Sequence, residues 1–166
     1  GPIDEEVSKT LAQVVPTVAG DNPREVKRFI NRVLLTMVVM EDVGITVSVK
    51  HQVAFMAMEF RWPEIIRALA RDESIWNQLK QYIEARAPVI EPSLSEIEVK
   101  GIKEILENNP GLESYFRESL GKELLNLSID DFSNLLYYSS ITREKKKGED
   151  SQDLIHEALG KLNYRE

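Results

Sequence analysis

The stretch Asp21–Met37 contains a cluster of residues whose chemistry suits the binding of an anion. It reads DNPREVKRFINRVLLTM and predicts a helix. Within it, Lys27, Arg28 and Asn31 follow Arg24 at spacings that place each of them within about 60° of Arg24 around a helix. Guanidinium and ammonium groups donate charge-assisted hydrogen bonds to phosphates and carboxylates. The pattern therefore favours a site for one of these anions.

These cations stand near the beginning of their helix, which is an unfavourable place for positive charge. A helix start carries partial positive charge, and each added cation costs about 0.3–1 kcal/mol unless an anion lies nearby. Two explanations are open. The cations pair with Asp or Glu elsewhere in this acidic chain, or they bind an external anion together with free N–H groups of the helix start.

The same helix has strong signals that fix its beginning and its orientation. Asn22 is the expected N-cap and Pro23 the first helical residue. Glu25 at the third helical position resembles the acidic member of a capping box. Apolar residues lie on the side opposite the cations: Val26, Phe29, Ile30, Val33, Met37 and Met40. We expect them to pack inward and to turn the basic face toward solvent.

The remaining sequence has helical periodicity almost throughout. We predict an all-α fold, an irregular helical bundle of about seven to nine helices with no significant sheet. The expected helices are Ile3–Val15 (ending before Pro16), Pro23–Asp42, Val47–Arg61, Pro63–Arg71, Glu73–Arg86, Leu94–Asn108, Gly111–Glu118, Ser128–Ser140 and Asp153–Asn163.

Composition limits the possible functions. The chain has 166 residues, 42% hydrophobic residues and a net charge of −7, which argue for a folded domain and against nucleic-acid binding. It has no cysteine, and its two histidines, His51 and His156, are far apart, so we predict no metal site. No catalytic residue is predicted. No apolar stretch approaches the roughly 20 residues of a transmembrane helix.

The first two residues suggest that the chain is part of a longer protein. Gly1-Pro2 is typical of the pair that a protease leaves after cleaving an affinity tag. We therefore expect further sequence before residue 1.

Two motifs resemble the helical lid of KAP-family P-loop NTPases, which are related to STAND and AAA+ proteins. NPREVKRFIN, from Asn22 to Asn31, resembles the family signature NPRxxKRFxN in the region that corresponds to sensor 2. HQVAFMAMEFRWPEIIRAL, from His51 to Leu69, resembles the next lid helix, which ends in an aromatic–Arg–aromatic–Pro turn with a Glu. The order and the spacing of the two motifs both agree with the family.

The resemblance implies a sensing role for the basic helix start. Arg24 would reach the γ-phosphate of ATP, and Lys27 and Arg28 would support it or contact the neighbouring NTPase core. Asn22, Pro23 and Asn31 would support the motif. ATP and Mg²⁺ would be held by an N-terminal core of the same parent protein. That parent would be a cytoplasmic ATPase and could form a homo-oligomer.

This chain by itself lacks the parts that hydrolyse ATP. It contains no Walker A loop and no Walker B strand, so we expect no enzymatic activity and no cofactor in it. On this interpretation residues 3–87 form a lid-like subdomain and residues 88–98 a connector. Residues 99–140 are a C-terminal helical part packing on the lid, and residues 141–166 a charged linker and terminal helix.

Two other functions remain open from the sequence. One is a stand-alone helical protein-interaction module whose basic face docks an acidic partner. The other is a nucleic-acid-binding domain with Arg24, Lys27, Arg28 and Arg32 on phosphates, which the net charge of −7 disfavours.

Overall fold

Helices make up the whole of the regular structure in the part of the chain that is described. The computed structural model describes residues 4–85 and 94–148. Within these residues there are eight α-helices, one 3₁₀ helix and no strand, which confirms the predicted all-α class. They are α1 (Glu5–Ala19), α2 (Pro23–Asp42), α3 (Val49–Arg61), α4 (Pro63–Arg71), α5 (Ser74–Glu84), α6 (Glu96–Asn108), α7 (Leu112–Glu118), the 3₁₀ helix (Leu120–Asn126) and α8 (Ile129–Gly148).

Proline fixes two helix starts and fails to end a third helix. Pro23 and Pro63 begin α2 and α4, as predicted, because proline suits the first helical position. Helix α1, in contrast, continues through Pro16 to Ala19, so the predicted end before Pro16 is wrong. Pro16 and Ala12 are both exposed, and the Ala12 carbonyl that loses its N–H partner can reach water. Continuation also buries Val18.

Helix α3 lies at the centre of the bundle. Its residues from Val53 to Met58 are all buried, as expected for a helix that is apolar nearly all round. It packs against α1, α2, α4, α8 and the 3₁₀ helix. Because α3 contacts so many elements, it fixes the position of α2, its neighbour in the chain.

Aromatic side chains connect the early helices with the later ones. The Trp76 ring stacks on the Phe132 ring with ring centres 4.4 Å apart. The centres of the Trp62 and Tyr115 rings are 5.2 Å apart. The Tyr115 hydroxyl donates to the Ala54 carbonyl at 2.7 Å. Both tryptophans are buried, and one core cluster includes residues from before and after the connector.

The later helices differ from the sequence prediction at their ends. Helix α6 begins at Glu96, after a capping box in which Ser95 and Glu98 exchange hydrogen bonds, so it starts within the expected connector. Helix α8 continues beyond Ser140 to Gly148 and enters the stretch assigned to a charged linker. The predicted helix over Asp153–Asn163 and the residue His156 lie outside the described residues.

Candidate functional site

The beginning of α2 has its backbone donors occupied by its own cap. The Asn22 side chain accepts from the N–H groups of Arg24 at 3.0 Å and Glu25 at 3.4 Å. The N–H of Val26 donates to the Asn22 carbonyl, and Pro23 has no N–H. The free backbone N–H groups expected at this helix start are therefore absent among its first four residues. An anion here would be bound by side chains.

Asn22 is the predicted cap, but Glu25 does not complete a capping box. The Asn22 N–H donates to the Ala19 carbonyl instead, at 3.2 Å. The Glu25 carboxylate lies 2.8 Å from Nη1 of Arg28. The capping-box prediction is thus wrong, because Glu25 serves as the partner of a cation one turn later.

Arg24 and Lys27 are the exposed cations of the basic face. No hydrogen bond, ion pair or ring contact of either side chain is present in the part of the chain described. Their helix is nevertheless firmly placed, because Phe29 and Val33 on its other side are completely buried. A fixed helix thus presents two side-chain cations to solvent in a chain whose net charge is −7.

Arg28 has partners within the protein. Besides its ion pair with Glu25, its guanidinium lies 5.9 Å from the centre of the Phe60 ring. The Phe60 ring also meets the Phe29 ring edge to face, with centres 5.5 Å apart. The beginning of α2 and the end of α3 are therefore in direct contact, which brings together the two motifs quoted in the sequence analysis.

The aromatic–Arg–aromatic–Pro turn after α3 is anchored in the core. Trp62 is buried, and its indole N–H donates to the Pro110 carbonyl at 2.8 Å. Arg61 lies over the Trp62 ring at 5.6 Å and is exposed. Glu64 pairs with Arg67 on the surface of α4. The turn thus has one buried anchor and a charged outer surface.

Arg32 belongs to the interior and not to the basic face. Its Nη2 and Nε atoms donate to Oε1 of Glu59 at 2.8 and 3.2 Å, and Nη2 also donates to the Ser139 carbonyl at 3.1 Å. Arg32 and Glu59 are both buried. The assignment of Arg32 to phosphate contacts is therefore wrong. Leu35 and Val38, which lie on the Arg24 side of α2, are also buried, so the basic face is confined to the first turns.

An open hollow lies beside the basic face, where α1 ends and α2 begins. It has a volume of about 410 Å³, and Lys27 and Asn31 line it together with the apolar residues Pro23, Val26 and Ile30. Gly20 and Asp21 complete its lining. Sequence periodicity identified Lys27 and Asn31, but it did not indicate the hollow, because the hollow depends on how the turn at Gly20 and Asp21 folds beside α2.

The described residues contain no candidate metal centre. No group of three or more His, Asp or Glu side chains that could hold a metal occurs among them. Asp130 and Asp131 lie in the first turn of α8, where carboxylates are favourable, and Ser128 caps that turn by accepting from the Asp131 N–H at 3.1 Å. None of the described helices is both long and apolar enough to cross a membrane.

Comparison with protein-family models, curated proteins and solved structures gives no significant match to this chain.

Proposed function

We propose that this chain is the helical lid, or regulatory region, of a KAP-like P-loop NTPase and that it senses nucleotide state through the start of α2. The observation that carries the proposal is the state of Arg24, which is exposed and without a partner in the described residues although the chain is acidic. A cation that lacks an internal partner at an unfavourable position is a candidate for an external anion.

The contact between the two motifs also supports this proposal. Arg28 and Phe29 come from the motif resembling NPRxxKRFxN, and both lie against Phe60 of the second motif. A lid that transmits nucleotide state needs its sensing residue on an element that is rigidly joined to the next helix. The buried residues of α2 and α3 provide such a connection.

The residues present suit a single phosphate group and not a whole nucleotide. Arg24 has free donors for phosphate oxygens, and Lys27 adds a second charge one turn later. The capped start of α2 offers no backbone cradle, so this chain alone would bind ATP weakly. We therefore assign the holding of ATP and Mg²⁺ to a core domain of the same parent protein in the cytoplasm.

Each residue of the motif has a distinct role in this proposal. Arg24 contacts the γ-phosphate, and Lys27 contacts the phosphate or an acidic edge of the core. Arg28 stays with Glu25 and Phe60 and holds the two lid helices together. Asn22, as the helix cap, and Pro23 set the position at which α2 begins. In this proposal ATP supplies the negative charge that attracts Arg24. Hydrolysis removes the γ-phosphate, and Arg24 is then released.

The proposal is tested in the longer protein that contains this chain. Arg24→Ala should lower ATP turnover at least tenfold, since one transition-state contact to a phosphate is worth about 1.4 kcal/mol or more. Arg71→Ala is a matched control, because Arg71 is also exposed but lies at the end of α4. Unchanged turnover in Arg24→Ala would contradict the sensing role, as would the lack of a Walker A loop in the parent.

A further inference from the structure

The hollow beside the turn from α1 into α2 combines an apolar wall on α2 with positive charge at its edge. Val26 and Ile30, one turn apart on α2, are only partly buried and line it with Pro23. It is an open depression with a volume of about 410 Å³ and not an enclosed ligand pocket. Partly exposed aliphatic side chains around a space of this size can receive an apolar group.

The charges around the hollow favour an acidic occupant. Lys27 lines it, and Arg24 lies one turn earlier; neither has a partner among the described residues. The nearby carboxylate of Glu25 is engaged by Arg28 at 2.8 Å. Asp21 also lines the hollow and opposes an acidic ligand. Two available cations against one carboxylate leave a positive excess, in contrast to the net charge of −7 for the whole chain.

We propose that the hollow is a docking site for an acidic protein segment that inserts one large apolar side chain between Val26 and Ile30 and places a carboxylate near Lys27. A nucleic acid fits the site less well, because the lining is mainly apolar and an acidic chain repels a polyanion. The inference uses the charges of Lys27 and Arg24 together with the apolar wall, and it is separate from nucleotide sensing because peptide binding is measured on this chain without nucleotide.

A randomised 12-residue peptide library displayed on phage tests the proposal on the folded chain. Selected peptides should share a Leu, Ile, Met or Phe with Asp or Glu within one helical turn. A synthetic peptide of that consensus should lose at least tenfold in affinity against Lys27→Glu, an exposed position, and against Val26→Trp, which fills the hollow. Lys100→Glu makes the same charge change on an exposed surface of α6 and should leave affinity unchanged.

Asp21→Asn supplies a test of the opposite sign. Removing this carboxylate should tighten binding of the acidic peptide about two- to threefold, since exposed charge interactions are of modest size. The proposal is overturned by any of three results: no consensus is selected, the consensus is basic or purely apolar, or Lys27→Glu and Lys100→Glu weaken binding equally. Peptide affinity is measured on this chain without nucleotide, whereas the sensing role is measured as ATP turnover of the parent protein, so failure of one proposal can be distinguished from failure of the other.

Discussion

The Nη2 atom of Arg32 lies 2.8 Å from Oε1 of Glu59, and both side chains are less than one tenth exposed. The same Nη2 atom donates to the Ser139 carbonyl, so Arg32 connects α2 with α3 and α8. Two turns earlier on the same helix, Arg24 is exposed and has no partner among the described residues. One helix therefore carries an arginine that organises the interior and another that is available to a ligand.

The buried ion pair should be costly to break on one side only. Arg32→Met removes the Arg32 partner of the buried Glu59 carboxylate, and Glu59→Met removes the carboxylate partner of the buried Arg32 guanidinium, so each should lower the free energy of unfolding by about 3–5 kcal/mol. The double variant removes both charges and should lose much less than the sum of the two single losses. Urea denaturation measures all three. Additive losses in the double variant would show that the two side chains do not act as a pair.

Substitution of the exposed cations should leave stability almost unchanged. Arg24→Ala and Lys27→Ala should change the free energy of unfolding by less than about 0.5 kcal/mol, because neither side chain has a contact to lose in the described residues. Arg24→Ala can even stabilise slightly, since it removes a cation from a helix start. Thermal and urea unfolding provide the measurement. A loss above about 1 kcal/mol in Arg24→Ala would reveal a structural role and weaken the case for an external anion.

Local signals explain which helix boundaries could be predicted. Helices α2 and α4 begin as expected, because Asn22-Pro23 and Trp62-Pro63 are neighbours in sequence whose conformations limit one another. The end of α1 could not be predicted in this way. Its continuation through Pro16 depends on a solvent-facing position and on the burial of Val18, and both are set by the packing of other helices.

The candidate site shows the same limit. Helical periodicity placed Arg24 and Lys27 on an exposed face, and both are exposed. It could not distinguish Arg32, whose partner Glu59 lies 27 residues further along the chain. The hollow beside Lys27 was also beyond sequence analysis, because it arises where α1 and α2 meet. The roles of these residues in ligand binding stay predictions.

Tyr115 should make stability depend on alkaline pH. Burial raises the pKa of its phenol above the ordinary value near 10. The folded protein therefore retains a proton that the unfolded chain loses, so stability is complete below pH 10 and is lost as pH rises toward the folded pKa. A difference of one bound proton between the folded and the unfolded state changes the free energy of unfolding by about 1.4 kcal/mol per pH unit.

The variant Tyr115→Phe isolates this contribution from that of other titrating groups. At about pH 8 it should be less stable than the unmodified protein by about 1 kcal/mol, because the hydrogen bond to the Ala54 carbonyl is lost. Above about pH 10 the difference should shrink and then reverse, because the phenylalanine side chain cannot ionise. Urea denaturation between about pH 8 and pH 11 measures the difference, and a constant gap over this range would contradict the assignment.

Gly20 and Gly101 should respond in opposite directions to substitution by alanine. Gly20 ends α1 with φ 56° and ψ −132°, a conformation that is strained for other residues, so Gly20→Ala should lose about 1–3 kcal/mol although nothing obstructs the added methyl. Gly101 lies within α6 with open space around it, so Gly101→Ala should gain about 0.5–1 kcal/mol from helix propensity. Urea denaturation of the two variants measures both effects. If Gly20→Ala raised the free energy of unfolding as much as Gly101→Ala, the turn from Gly20 into α2 would not require a glycine.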